Sequence, residues 1–256
     1  VTLGLWDCQN PVHVYSLTPL LDNKATLRAS LQNGKTEYLQ VQPDTTPNET
    51  QISITKDEVN DLPLRRYSGR VHLISRDADV ADAAAEISGE DYLGFDTETR
   101  PAFNKGEIYP TALLQLAGAK SVYLFQLQYI DDLDPVFDIL ENEAVIKAGV
   151  AIRDDLRKLQ EIRPFEPRSC LEISSFTQRA GIVNTGLRSL AAYYLGFRVS
   201  KNAQLSNWSR RRLSSNQITY AATDAWVSRL LYKKLCKLDL LTDSSGAIET
   251  VGAAIS

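Results

Sequence analysis

The chain has 256 residues, a net charge of −4 and 43% apolar side chains, a globular composition that argues against wholesale disorder. No run approaches the roughly 18 uncharged apolar residues of a membrane span, and no basic segment followed by an apolar stretch marks a signal peptide. Three scattered cysteines, Cys8, Cys170 and Cys236, make no disulfide framework or metal clip, which fits a cytoplasmic setting; with His13 and His72 as the sole histidines, no Ser-His-Asp triad or histidine-rich zinc site is expected beyond residue 90.

Residues 1–50 are rich in Asn, Thr, Gln and Pro and read as a polar segment with one β-hairpin. Its strands are expected over 27–32 and 36–41, on either side of Asn33-Gly34, the strongest short hairpin signal. A loose phosphate-loop match runs from Ala29 to Gly34-Lys35-Thr36. It is rejected because its first glycine is missing, no buried strand precedes it and no amphipathic helix follows. Residues 42–50 read as a linker and 51–69 as a lead-in segment. A strand is expected over 70–75, then a helix over 77–89 capped by Asp77 or Asp79 and stopped at Gly89.

From residue 91 the pattern sharpens. An apolar strand over 92–99 ends in carboxylates. Strands over 111–118 and 121–127 are separated only by a short turn and should form an antiparallel hairpin. Val136, Phe137, Ile139 and Leu140 have helical spacing within 134–143. A further strand over 144–151 runs into a helix over 153–162. Helices are expected over 171–182, 187–196 and, longest of all, 214–238, with a tail over 241–256. This order of strands and helices predicts an α/β fold with a mixed sheet.

Charge is unevenly distributed. Residues 91–146 carry 3 basic and 10 acidic side chains, net −7, whereas residues 147–240 carry 17 and 7, net +10. An acidic block beside a basic one suits a cation site facing a polyanion, although two solvated helical surfaces would give the same count. Asp96 and Glu98 lie two apart at a strand end, so they share a face. Held together they repel, and a hard divalent cation removes that cost. Tyr220 and Asp224, at i and i+4 on the last helix, also share a face, among Ala221, Ala222 and Ala225. Asp154 and Asp155 open the helix after the 144–151 strand, and Asp155 is on the side turned toward the sheet. Taken singly, each of these features is also met without any metal: surface acids near a turn, a packed tyrosine beside a solvated aspartate, and acids that favour a first helical turn.

Taken in order, the sequence resembles the DEDDy branch of 3′-5′ exonucleases, the ribonuclease D and Werner-exonuclease-like family. The resemblance rests on GFDTET (94–99), ALLQLAG (112–118), GVAIRDDLRKL (149–159), GLRSLAAYYLG (186–196), QLSNWS (204–209) and LSSNQITYAATDAW (213–226). It implies a ribonuclease H-like mixed β-sheet flanked by α-helices, with an exonuclease domain over 70–240. It further implies two divalent ions, Mg²⁺ or Mn²⁺, held by Asp96, Glu98, Asp155 and Asp224, with Tyr220 and Glu98 orienting the attacking water. The expected partner is the single-stranded 3′ end of DNA or RNA, with no membrane, and the expected products are nucleoside 5′-monophosphates. Thr97, Arg100, Trp208 and Arg210 are candidates for contacting the nucleic acid, Trp208 by stacking on a base unless it is an apolar anchor. A catalytically silent binding or scaffold domain on the same fold is the alternative. With no helicase motif and about 18 residues after the last helix, a stand-alone enzyme is expected.

Overall fold

In the computed structural model the described residues are 52–241, residue 250 and, by their backbone, four strands within the first fifty residues. They fall into two compact units, Val1–Thr50 and Gln51–Ser256. In the first, β1 (Thr2–Leu3), β2 (Tyr15–Ser16), β3 (Thr26–Ser30) and β4 (Thr36–Gln40) form an antiparallel sheet in that order. Strands β3 and β4 pair from Thr26↔Gln40 to Ser30↔Thr36. The Asn33-Gly34 turn, the 42–50 linker and nearly all of the tail lie outside the described residues.

The second unit opens with helix α1 (Lys56–Asp61), started by a capping box in which Thr55 and Glu58 satisfy each other's backbone N–H. Then come β5 (Arg70–Ile74), α2 (Val80–Ser88), β6 (Tyr92–Thr99), β7 (Thr111–Ala117), β8 (Ser121–Gln126), α3 (Asp134–Glu141) and β9 (Ile146–Gly149). Helix α4 (Ile152–Ile162), β10 (Cys170–Glu172), α5 (Ile173–Arg179), α6 (Leu187–Leu190) and α7 (Ser215–Lys237) complete it. Its six strands lie in the order β10-β9-β6-β7-β8-β5. Strands β6, β7 and β8 are antiparallel neighbours and the remaining pairings are parallel, giving the expected mixed sheet.

Strand β7 is buried along its whole length, which explains why it reads as a continuous apolar run. Its Leu114 and Leu116 join Leu93 and Phe95 of β6 beneath α2, α3 and α4. Its Leu113 and Ala117 face Ala221, Ala222 and Ala225 of α7. The sheet is therefore covered on both faces, and β6 runs through its middle.

Three details differ from expectation. The helix expected over 171–182 is a three-residue strand, β10, followed by the shorter α5. Three buried residues give no readable period, and only pairing with β9 makes them a strand. Neither Asp77 nor Asp79 caps a helix by its side chain. Asp77 instead accepts the N–H groups of Asp131 and Asp132, and Asp79 pairs with Arg76. The helix expected over 187–196 is one α turn that widens into a π turn over Ala191–Leu195.

Candidate metal centre and its cleft

The period of two along β6 puts Gly94, Asp96 and Glu98 on the face covered by α7. The close approach of that helix depends on Gly94. A Cβ there would stand 1.9 Å from the Ala225 carbonyl oxygen, so no side chain fits. Helix α7 begins with a second capping box, Ser214 with Gln217, and Gln217 also donates to the Asn207 carbonyl at 3.1 Å. The helix is thereby held over the strand end, with Asp224 turned inward. Asp96, Glu98 and Asp224 offer carboxylate oxygens that all lie within 4.8 Å of one another.

Asp155 stands beside this group, not in it. Its helix α4 starts from Ala151, which has left-handed φ of 60°. The Ala151 and Ile152 N–H groups donate to the buried Glu172 carboxylate at 2.8 and 2.7 Å. Thr97 Oγ1 in turn donates to Asp155 Oδ1 at 2.7 Å, so the residue between the two β6 acids fixes a third carboxylate. The Tyr220 phenol hydrogen-bonds Asp224, one helical turn away.

The electrostatics are those of acids crowded in a dry place. Burial first, then the charges of Asp224 and Asp155, raises Asp96 well above the usual carboxylate range. Burial, followed by the charges of Asp96, Asp224 and Asp155, raises Glu98. Burial raises Asp224, opposed by the Tyr220 hydrogen bond and the Arg188 charge. Burial raises Asp155 against its bond from Thr97. Burial and the neighbouring carboxylates push the Tyr220 phenol upward, so it stays protonated. The donor set is all oxygen and mutually repelling, which fits a hard divalent cation.

These groups line a cleft of about 650 Å³. Its walls include Lys56 and Asn60 of α1, and Arg188, Lys201 and Gln204. Arg188 was not singled out in the sequence. Its Nε donates to the Val199 carbonyl at 3.0 Å, which holds a cation on the cleft wall. Nothing local distinguishes it from other arginines; the signal lies in the loop that folds back to supply Val199.

The expected nucleic-acid contacts are only partly brought together. Thr97 lines the cleft. Arg100 instead lies over the Tyr109 ring, 4.4 Å from its centroid, outside the cleft lining. Arg210 is exposed away from it, and its carbonyl accepts from Gln126 Nε2. Trp208 is a correction: at 0% exposure it has no face to offer a base. It packs with Ala112, Leu113 and Ala221 and tilts against Tyr220, so it braces the tyrosine from behind.

A two-sided mixed sheet with carboxylates converging at the end of a central strand is an α/β fold with an acidic cluster able to hold a metal ion. The chain belongs to the 3′-5′ exonuclease family, whose sequence profile matches residues 71–238. It is 29% identical over 226 residues to the mouse (Mus musculus) bifunctional 3′-5′ exonuclease/ATP-dependent helicase WRN, covering 82% of this chain and 16% of that protein. It is 34% identical over 149 residues to exonuclease 3′-5′ domain-containing protein 2 of Drosophila melanogaster, covering 57% of this chain and 25% of the other. The chain thus spans a quarter or less of the length of these two relatives. The fold is also that of Escherichia coli RNase D, with a TM-score of 0.61, 22% identity, and coverage of 66% of this chain and 44% of that one. No helix among the described residues is long and apolar enough to cross a membrane.

Proposed function

We propose that the chain removes nucleotides one at a time from the 3′ end of single-stranded DNA or RNA, releasing nucleoside 5′-monophosphates by a two-metal mechanism. The convergence of Asp96, Glu98 and Asp224 within 4.8 Å, inside the segment that matches the family, carries this reading. These three side chains would hold one divalent ion, and Asp96 with Asp155 a second. Bound there, Mg²⁺ or Mn²⁺ supplies an activated water and a stabilised leaving oxygen.

The protein's own groups supply orientation. Tyr220, kept protonated by its surroundings, gives its proton to the hydrogen bond with Asp224, which leaves the phenol oxygen to accept from the attacking water and align it with Glu98. The water would add its oxygen to phosphorus and release a proton to solvent, the bond to the leaving 3′ oxygen would break, and that oxygen would take up a proton in return. Arg188 and Lys201 put positive charge on the walls along which phosphates must pass.

The test is a 5′-labelled oligonucleotide incubated with Mg²⁺ or Mn²⁺, as RNA, as single-stranded DNA and as recessed duplex. Stepwise shortening from the 3′ end is expected. Asp96→Ala or Asp224→Ala should lower the rate at least about 100-fold, the scale of losing a group that stabilises developing charge. If the unaltered chain leaves every substrate intact, the nuclease reading fails.

A further inference from the structure

Residues 52–67 form a strap along the cleft, all of it before the segment that matches the family. The strap is fastened at both ends. On one side the Ile52 N–H donates to the Gly181 carbonyl at 2.8 Å, and Val183 donates back to Ile52 at 2.9 Å. On the other, Arg198 donates its N–H to the Pro63 carbonyl at 3.0 Å and its Nε to that of Leu62 at 3.0 Å. The Arg65 N–H donates to the Arg198 carbonyl at 2.9 Å, and that of Tyr67 to Thr223 Oγ1 on α7 at 3.0 Å.

Between these fastenings sits α1, a six-residue helix that buries none of its side chains. A helix this short is marginal alone, and this one adds nothing to the core. Its Thr55, Lys56, Val59 and Asn60 share one face and form a cleft wall in common with Asp96, Glu98 and Asp224. A second cavity of about 170 Å³, behind Leu64–Arg66, also reaches Tyr220 and Asp224. The strap therefore borders two cavities, and both reach Tyr220 and Asp224.

We propose that this strap selects the end of the substrate: it admits one unpaired strand to the carboxylates and blocks a paired one. The inference rests on the nuclease reading of the same cleft. At about 650 Å³ the space is that of a small-molecule site, enough for about one or two nucleotides. A duplex end brings a second strand stacked and paired beside the first, and the fastened α1 occupies the room that strand needs. Lys56 offers a charge to the backbone and Asn60 an amide to a base or sugar. The selection is a built obstruction as much as an attraction.

The experiment measures binding of the full chain, with Ca²⁺ replacing Mg²⁺ to slow turnover. The probes are a fluorescent single-stranded oligonucleotide and the same strand in a blunt duplex. The unaltered chain should hold the single strand at least about tenfold more tightly. A variant with Lys56→Gly, Val59→Gly and Asn60→Gly should narrow that ratio at least about threefold. Glu58→Ala, which breaks the capping box from outside the cleft, should narrow it less. Equal affinity of the unaltered chain for both probes overturns the proposal whatever the variants do. So does an unchanged ratio in the triple variant when its circular dichroism and melting match the parent. Parallel Mg²⁺ digestion separates the two ideas. Selective binding without cleavage refutes the nuclease and keeps the strap; equal cleavage of single-stranded and blunt ends does the reverse.

Discussion

Tyr220 has two different neighbours: Asp224 takes its hydrogen bond and Trp208 supports its ring. Removing the hydroxyl alone should therefore slow turnover and leave the metal ligands in place. Tyr220→Phe is expected to bind Mn²⁺ within about twofold of the parent by calorimetry while its rate falls about 10²-fold or more. A matching loss of Mn²⁺ affinity would contradict the role given to the phenol. Trp208→Ala should instead cost folding stability, about 3–5 kcal/mol by urea unfolding, because it empties a fully buried site. At this scale the sequence was readable where chemistry and spacing coincide. Asp96 and Glu98 two apart on a strand, and Tyr220 and Asp224 four apart on a helix, announce a shared face. Trp208 could not be placed in that way, because whether an indole faces solvent or core depends on what arrives from elsewhere in the chain. Arg188 needed the same distant information, namely the carbonyl of Val199.

The pairing of α7 with β6 is the contact that turns separate acids into a site. It depends on the missing side chain at Gly94. Gly94→Ala is expected to push the helix off the strand, widening the gap between Asp224 and the two β6 acids. Mn²⁺ binding should weaken at least about tenfold with every ligand still present, read by calorimetry, and stability should fall by about 1–3 kcal/mol from overpacking. Tight binding by this variant would mean that the helix position does not control the centre. Strand β10 has a comparable role for α4, since its Glu172 receives the first N–H groups of the helix that carries Asp155. That strand was illegible in advance. Residues 170–172 are too few to show a period, and they run straight into a genuine helix. The long strands and α7 were legible because apolar runs and helical spacing persist over many residues. Helix α1 had a Thr55-x-x-Glu58 capping signal but no apolar stripe behind it, as befits a helix that buries nothing.

Across the whole molecule, the crowded acids tie folding to pH and to metal. Burial raises Asp96, Glu98, Asp155 and Asp224 above their ordinary values of 3.8 to 4.5, and the neighbouring carboxylates of the cluster add to it at Asp96 and Glu98. Without a cation, the folded chain keeps protons that the unfolded chain has already released. Its stability should thus fall as pH climbs from those ordinary values toward the raised ones. A divalent ion bound to the deprotonated carboxylates would reverse the trend. In EDTA the melting temperature should drop between about pH 5 and about pH 8, and Mn²⁺ should restore it most at the upper end. Melting that ignores both pH and Mn²⁺ would show that these acids are not strained against one another.

The distance along the chain between β6 and α7 has a consequence during synthesis. Glu98 leaves the ribosome 126 positions ahead of Asp224, its partner across the cleft (98 to 224). At about 5–20 residues per second that interval is roughly 6–25 s. Throughout it a growing polypeptide carries two of the three clustered carboxylates, Asp96 and Glu98, without the third. A nascent molecule therefore lacks the complete acidic cluster until its last long helix docks.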